Sequence, residues 1–262
     1  MRHAFTLIEL LVVISIIAIL IGILLPFLSR SKEATRRVIC ASNQHQILVT
    51  ANTYAADQDG MLPNIQRWDG NLMWMVEPAF ETLSEGEVLP SDVGSLTDVA
   101  PIRYGQMHCP NMEGQWKRVR YFSQGGDGVS VRVSYMILMG RREMPDYTQV
   151  NTANPVALGW RSTLSIDKPE PGTITESGEF EDEGLLVADL NFEGSSFPPV
   201  ISAVHGPQGI IREATSGTTT PNDIGSEGGN LGYVDGSVQF RPAREMSRHR
   251  AIQNSTPFYG WW

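Results

Sequence analysis

The chain has 262 residues, with 20 Lys and Arg against 29 Asp and Glu, a formal net charge of −9. That acidic balance argues against nucleic acid as a partner. Five scattered histidines and two cysteines leave little material for acid–base catalysis or for a clustered zinc site.

The chain opens on a short polar leader and then an apolar run. From Leu10 to Leu28 no residue is charged, a length sufficient for one membrane-spanning helix. Glu9 stands at the start of that run. A carboxylate facing hydrocarbon is costly and is by default a functional residue. The span itself holds no cation, so the partner expected for Glu9 is the chain's own N-terminus or another chain. A secretory signal has an apolar core of about 7–15 residues followed by a small-residue cleavage site. Here the run is longer and Ser29-Arg30-Ser31-Lys32 follows it, so the segment is expected to stay.

Ala4-Phe5-Thr6-Leu7-Ile8-Glu9 followed by apolar residues resembles the leader of type IV prepilins and type II secretion pseudopilins. The resemblance implies cleavage between Ala4 and Phe5 by a prepilin peptidase, N-methylation of Phe5, and assembly through Glu9, which would meet the α-amine of a neighbouring subunit. The family usually has Gly before the cut where this chain has Ala4. The basic flanks point the other way: Arg2 precedes the span, whereas Arg30, Lys32, Arg36 and Arg37 follow it. Counting Lys and Arg places the C-terminal side in the cytoplasm. The resemblance places it outside, and long C-terminal domains translocate largely regardless of charge. The basic cluster is read either as contacting lipid head groups or as a solvated helix face.

Pro26 is expected to kink the helix without ending it. Beyond it, Val38, Ala41, His45, Leu48, Ala51 and Ala55 recur at helical spacing, widened by Ile39, Ile47 and Tyr54. Asp57-Gln58-Asp59-Gly60 reads as the helix end, with Gly60 in the left-handed C′ position and Pro63 reinforcing the stop. The first ~58 residues therefore predict one helix of roughly 80 Å. Asp57 and Asp59 lack the remaining ligands of a calcium loop.

About 200 residues remain for a body, enough for one domain with its own core. Its 25 Gly and 16 Pro, counted over the whole chain, predict a turn- and strand-rich fold. Trp68, Trp74, Phe80 and Trp116 are expected to bury the irregular stretch 61–130, and 81–98 reads as an exposed connection. Strands are predicted at 118–122 and 129–139, the latter alternating Val129, Val131 and Val133 with Ser130, Arg132 and Ser134. Further strands are predicted at 154–160 and 184–190. The segment 168–183 reads as an exposed excursion whose Glu176, Glu179, Glu181, Asp182 and Glu183 are solvated, and 206–230 as a long loop. Residues 231–240 form the clearest hairpin, turning on the two residues Asp235-Gly236. The aromatic terminus, Pro257 to Trp262, is expected to dock on the body's own surface.

A second resemblance lies in these segments. His205-Gly206 upstream of Asn230-Leu231-Gly232-Tyr233-Val234-Asp235-Gly236-Ser237-Val238 looks like the C-terminal signature of large pilin-like proteins abundant in planctomycetes. Cys40-x-Ser42-Asn43-Gln44-x-Gln46, Tyr54-Ala55-x-Asp57, Cys109-Pro110 and Ser134-Tyr135 match the same group. In that group the His-Gly precedes the hairpin by about ten residues; here 207–227 looks inserted.

Candidate site residues follow. Ala4, Phe5 and Glu9 belong to processing and assembly. Cys40 and Cys109 form a disulfide or remain two thiols; an oxidising compartment allows the bridge. Asp189, His205 and Asp235 are weak candidates for a metal such as calcium, against the plainer reading that Asp235 caps its turn and His205 bonds within a loop. No cofactor is expected. No G-x-S-x-G, H-E-x-x-H or phosphate loop occurs, and no enzymatic activity is expected.

The expected fold is α+β and pilin-like: leader 1–4, spanning or filament-core helix 5–28, continuation 29–59 packing on the body, and a β-rich domain 60–262. The expected function is a structural subunit of a type II secretion or type IV pilus-like machine. Its expected partners are other pilin-like subunits, the prepilin peptidase and methylase, an inner-membrane assembly platform and the bilayer, with the body periplasmic. The competing expectation is a membrane-anchored extracytoplasmic ligand- or glycan-binding protein that uses the same signal for export.

Overall fold

The fold is described from a computed structural model covering residues 7–63, 74–76, 107, 109–112, 130–139, 159–160, 165–167, 173–174, 180–194, 200–207, 209–214, 220–250 and 259–262. The expectations at 81–98 and 118–122, and those for Trp68, Phe80 and Trp116, lie outside the described residues.

One helix, α1 (Leu7–Asp57), runs for 51 residues and carries Pro26 inside it. At 1.5 Å per residue it is about 77 Å long. Every residue from 7 to 32 is exposed, so among the described residues nothing of the body covers this apolar half. The second half buries Glu33, Cys40, Gln44, Ile47, Leu48, Ala51 and Ala55. This corrects the predicted stripe. Leu48, Ala51 and Ala55 do face the body, but Val38 and Ile39 are exposed, at 68% and 42%, and His45, also exposed, lies at the edge of the contact. Upstream of Ile47 the inward face is polar, so hydrophobic periodicity selected the wrong side there.

The helix ends as a Schellman motif. The Gly60 N–H donates to Ala55 O at 2.8 Å, the six-to-one bond of that motif. The left-handed C′ residue is therefore Asp59 (φ 51°), with Gly60 (φ 79°) following it. Gly60 O accepts from Ile166 N, and Met61 bridges Ser165.

The strands in chain order are β1 (Trp74–Val76), β2 (Ser130–Arg132), β3 (Tyr135–Ile137), β4 (Gly159–Trp160), β5 (Thr173–Ile174), β6 (Phe180–Glu181), β7 (Leu185–Asp189), β8 (Asn191–Gly194), β9 (Val200–Gly206), β10 (Gly209–Ala214), β11 (Gly228–Tyr233), β12 (Val238–Pro242), β13 (Arg248–Arg250) and β14 (Tyr259–Trp261). Two antiparallel sheets dominate, in orders β12-β11-β7-β3 and β10-β9-β8-β14-β13, beside the smaller β1-β2 and β4-β5-β6. The protein is thus α+β in a pilin-like layout.

The four-stranded sheet lies between α1 and the five-stranded one. All five residues of β7 are buried. Alternation along the strand sends Val187 and Asp189 toward α1, where Gln44 bonds Asp189. Ala188 pairs with Met136, whose sulfur lies against Gly260 of β14 on the far side. One core therefore joins Ile47, Leu48 and Ala51 of α1, the β3 and β7 residues, Phe192, Val204 and Trp262.

Several predicted elements need correction. The strand expected at 129–139 is two strands in different sheets, β2 with β1 and β3 with β7. Residues 133–139 are all buried, without alternation, because β3 is covered on both faces. The excursion 168–183 contains β5 and β6, and the expected loop 206–230 contains β10, hairpinned onto β9. Asp182 is not solvated: it has positive φ (59°) and takes Arg241 as an ion-pair partner and Tyr233 Oη as a donor. That pairing holds its carboxyl below the usual range against the opposing effect of burial.

The final hairpin closes differently from a two-residue turn. Gly236 N donates to Tyr233 O and Tyr233 N to Ser237 O, both at 2.9 Å. The loop is Val234-Asp235-Gly236, with Gly236 at φ 84° in the bulge position. The aromatic terminus docks as expected: β14 pairs with β8 and β13, and the Trp262 ring stacks on His249 at 4.0 Å.

α1 approaches the sheet closely at Gly232. A Cβ there would lie 2.7 Å from Val187 Cγ1 and 2.9 Å from Leu48 Cδ1. Gly232→Ala is expected to destabilise the body by about 1–3 kcal/mol, as overpacking in a close-packed contact does. Chemical denaturation followed by tryptophan fluorescence measures it; an unchanged midpoint would show that α1 does not seat on Gly232.

Candidate functional site

Where the three layers meet, polar side chains replace the apolar core. Glu33 comes from α1, Asp189 from the last position of β7, and His205 from β9. The backbone fixes all three, because helix and strand residues inherit the positions of regular elements. Glu33 is 1% exposed, Asp189 1% and His205 0%.

His205 bridges the two carboxylates. Its Nδ1 is 2.7 Å from Glu33 Oε1 and its Nε2 is 3.1 Å from Asp189 Oδ2. Burial opposes charging the ring, but the Asp189 charge and hydrogen bonding from Asp189, Cys109 and Glu33 outweigh it and raise its pKa to about 12. The ring is therefore an imidazolium between two carboxylates at neutral pH.

The remaining carboxylate valences are filled from neighbouring elements. Asn111, in the 3-10 turn Pro110–Met112, donates Nδ2 to both Glu33 oxygens (2.8 and 3.0 Å) and to Val204 O at 2.7 Å. Arg36 Nη1 lies 3.9 Å from Glu33 Oε2. Gln44 Nε2 donates to Asp189 Oδ1 at 2.8 Å, and Asn230 gives Asp189 Oδ2 both its backbone N–H (2.7 Å) and its Nδ2 (2.8 Å). Buried charges persist when they are paired and hydrogen-bonded in this way.

Cys40 of α1 and Cys109, just before the 3-10 turn, adjoin this cluster. Their sulfurs are 2.6 Å apart and both residues are fully buried. Cys40, Cys109 and His205 present their ligand atoms within 4.8 Å of one another.

The predicted site residues thus separate. His205 and Asp189 meet, and His205 lies in a strand, outside any loop. Asp235 does not join them. It is exposed at the hairpin tip, where its Oδ1 accepts from Ser237 N at 2.9 Å. The hairpin tip serves α1 instead: Gly236 O accepts from His45 Nδ1 at 2.8 Å, and Val234 O from Asn52 Nδ2 at 3.0 Å. Asn43 adds a bond to Tyr135 Oη at 3.2 Å. Arg37 turns to the body, pairing with Glu227 at 2.7 Å and lying over Phe240. Ala4 and Phe5 lie outside the described residues, and Glu9 is on the exposed half of α1.

Sequence reasoning missed Glu33, Asn111 and the pairing role of Gln44. Glu33 was readable only as one charge in a basic stretch. Its helical phase with Cys40, Gln44, Leu48, Ala51 and Ala55 was the available signal.

Chemically the cluster is closed. Each carboxylate is fully engaged and the imidazolium holds no free base. Its chemistry is cohesion between α1 and the two sheets.

His205→Gln is expected to destabilise the protein by about 3–5 kcal/mol, the usual cost of leaving buried charges unpartnered. Because the folded pKa lies above the ordinary 6.5, the contribution is complete below that value and declines as pH rises toward the folded value. The difference in unfolding free energy between wild type and His205→Gln should therefore be larger at pH 6 than at pH 9. A difference that grows with pH would contradict the assignment.

Comparison with known proteins bears on the N-terminus. Residues 1–25 match the prokaryotic N-terminal methylation motif. No curated protein and no solved structure matches the chain. The motif implies processing by a peptidase and assembly with pilin-like subunits in general, and the motif and its apolar helix together fit membrane anchoring. The methylation motif, the long apolar helix and the two-sheet body fit a pilin-like protein with a prepilin-type N-terminus.

Proposed function

We propose that this chain is a structural subunit, a pilin or pseudopilin, of a type II secretion or type IV pilus-like machine, and that it performs no catalysis. A prepilin peptidase cuts between Ala4 and Phe5, and a methylase modifies the new amine of Phe5. The apolar half of α1 first holds the subunit in the inner membrane, with the body periplasmic, and then enters the core of a filament.

The observation that carries this reading is the division of α1. Residues 7–32 are wholly exposed, while the same helix from Glu33 onward is docked on the body. A bilayer needs only about 20 apolar residues, and a membrane anchor needs no rigid continuation into a core. A subunit that must carry its body at a fixed offset from a helical bundle needs both. In such a bundle Glu9 meets the methylated amine of Phe5 from a neighbour in surroundings of low dielectric, where complementary charges attract strongly.

The test is a pair of measurements on cells expressing the full chain. Mass spectrometry of the mature protein should find N-methyl-Phe5 at its start. Glu9→Leu should leave membrane insertion intact and abolish cross-linkable multimers. Unaltered multimers from Glu9→Leu would leave the anchored ligand- or glycan-binding protein as the better reading.

A further inference from the structure

We propose that Cys40 and Cys109 are joined as a disulfide in the mature protein, a covalent staple that fixes α1 to the body. The oxidising surroundings it needs rest on the export reading given above. The pairing itself rests on the geometry.

The two sulfurs lie 2.6 Å apart, well inside the ~3.5–4.0 Å at which unbonded heavy atoms rest. A disulfide holds its sulfurs at about 2.05 Å, so closure takes a movement of about half an ångström. Two thiolates on a tetrahedral zinc, each about 2.3 Å from the metal, stand roughly 3.8 Å apart, which requires the sulfurs to separate by more than 1 Å. Among the described residues the further ligand atom beside the sulfurs belongs to His205, which also serves the carboxylates. His205 directs Nδ1 to Glu33 and Nε2 toward Asp189, whose own oxygens take Gln44 and Asn230. A cystine adds no charge to a cluster that already holds two carboxylates and one imidazolium.

The reaction balances as thiol–disulfide exchange. The oxidant is the disulfide of an extracytoplasmic thiol oxidoreductase. Either cysteine can attack first as its thiolate. With Cys109 first, its thiolate attacks one sulfur of the carrier and displaces the other as a thiolate. Cys40, deprotonated in turn, attacks Cys109 sulfur and releases the second carrier sulfur. The substrate loses two protons and two electrons, and the carrier becomes a dithiol. Both cysteines are fully buried in the folded protein, so the exchange takes place before α1 closes on the body.

The experiment uses full-length protein from membranes, acid-quenched, alkylated without reductant and digested with trypsin. The expected product joins peptides 38–67 and 104–117 and is two hydrogen atoms lighter than their sum. Reductant should lower the melting midpoint of wild type and leave that of a Cys40→Ser, Cys109→Ser double variant unchanged. Two alkylated cysteines overturn the proposal. So does stoichiometric zinc by elemental analysis with thiols that become alkylable after chelation. Protease accessibility of the body in the same cells reads export separately: reduced cysteines with an accessible body overturn the staple alone, and reduced cysteines with a protected body overturn both readings.

Discussion

The contact on which the molecule depends is the buried imidazolium of His205 between Glu33 and Asp189. Each of the three residues belongs to a different layer: the helix, the four-stranded sheet and the five-stranded sheet. Removing His205 leaves two buried carboxylates without their shared cation, and removing either carboxylate undoes one of its two ion pairs, so the layers are mutually required. Hydrophobic burial of Ile47, Leu48, Ala51 and Ala55 contributes to docking, at ~1.5–3 kcal/mol for each large side chain. It does not by itself set register, since a helix can slide along an apolar face. The clamp admits one register only.

The C-terminal signature takes on a specific meaning in this light. Its members do not converge on one point. His205 and Asn230 meet at Asp189, whereas the Asp235-Gly236 turn lies beneath His45 and Asn52. The Cys-x-Ser-Asn-Gln segment of α1 meets the same cluster through Gln44, which donates to Asp189 and to Asn230 O, while Cys40 and Asn43 reach Cys109 and Tyr135. Two patterns far apart in the chain are the two sides of one interface.

Much of this was legible in the sequence, and the exceptions share a cause. The long helix, its end near Gly60, β7 and the final hairpin follow from local signals: apolar run, cap residues, continuous β-branched and aliphatic stretch, Asp-Gly. The inward face of α1 between Glu33 and Gln44 did not, because periodicity detects apolar faces and this one is polar. Asp182 looked solvated in an acidic run because its partner, Arg241, is 59 residues away. The strands β5, β6 and β10 are short and are set among Gly, Thr, Ser, Pro and acidic residues whose propensities favour turns, and pairing with neighbours overrides that preference.

The docked half of α1 also fixes how load passes through the subunit. From Glu33 to Ala55 the contacts extend along about 33 Å of helix, parallel to its axis, with the carboxylate clamp at the membrane-proximal end and the hairpin tip further along. A pull along the exposed half therefore shears all of these contacts together and does not peel them one by one. Shear distributes force over every bond at once, so the body resists extraction along the helix far better than it resists being levered sideways.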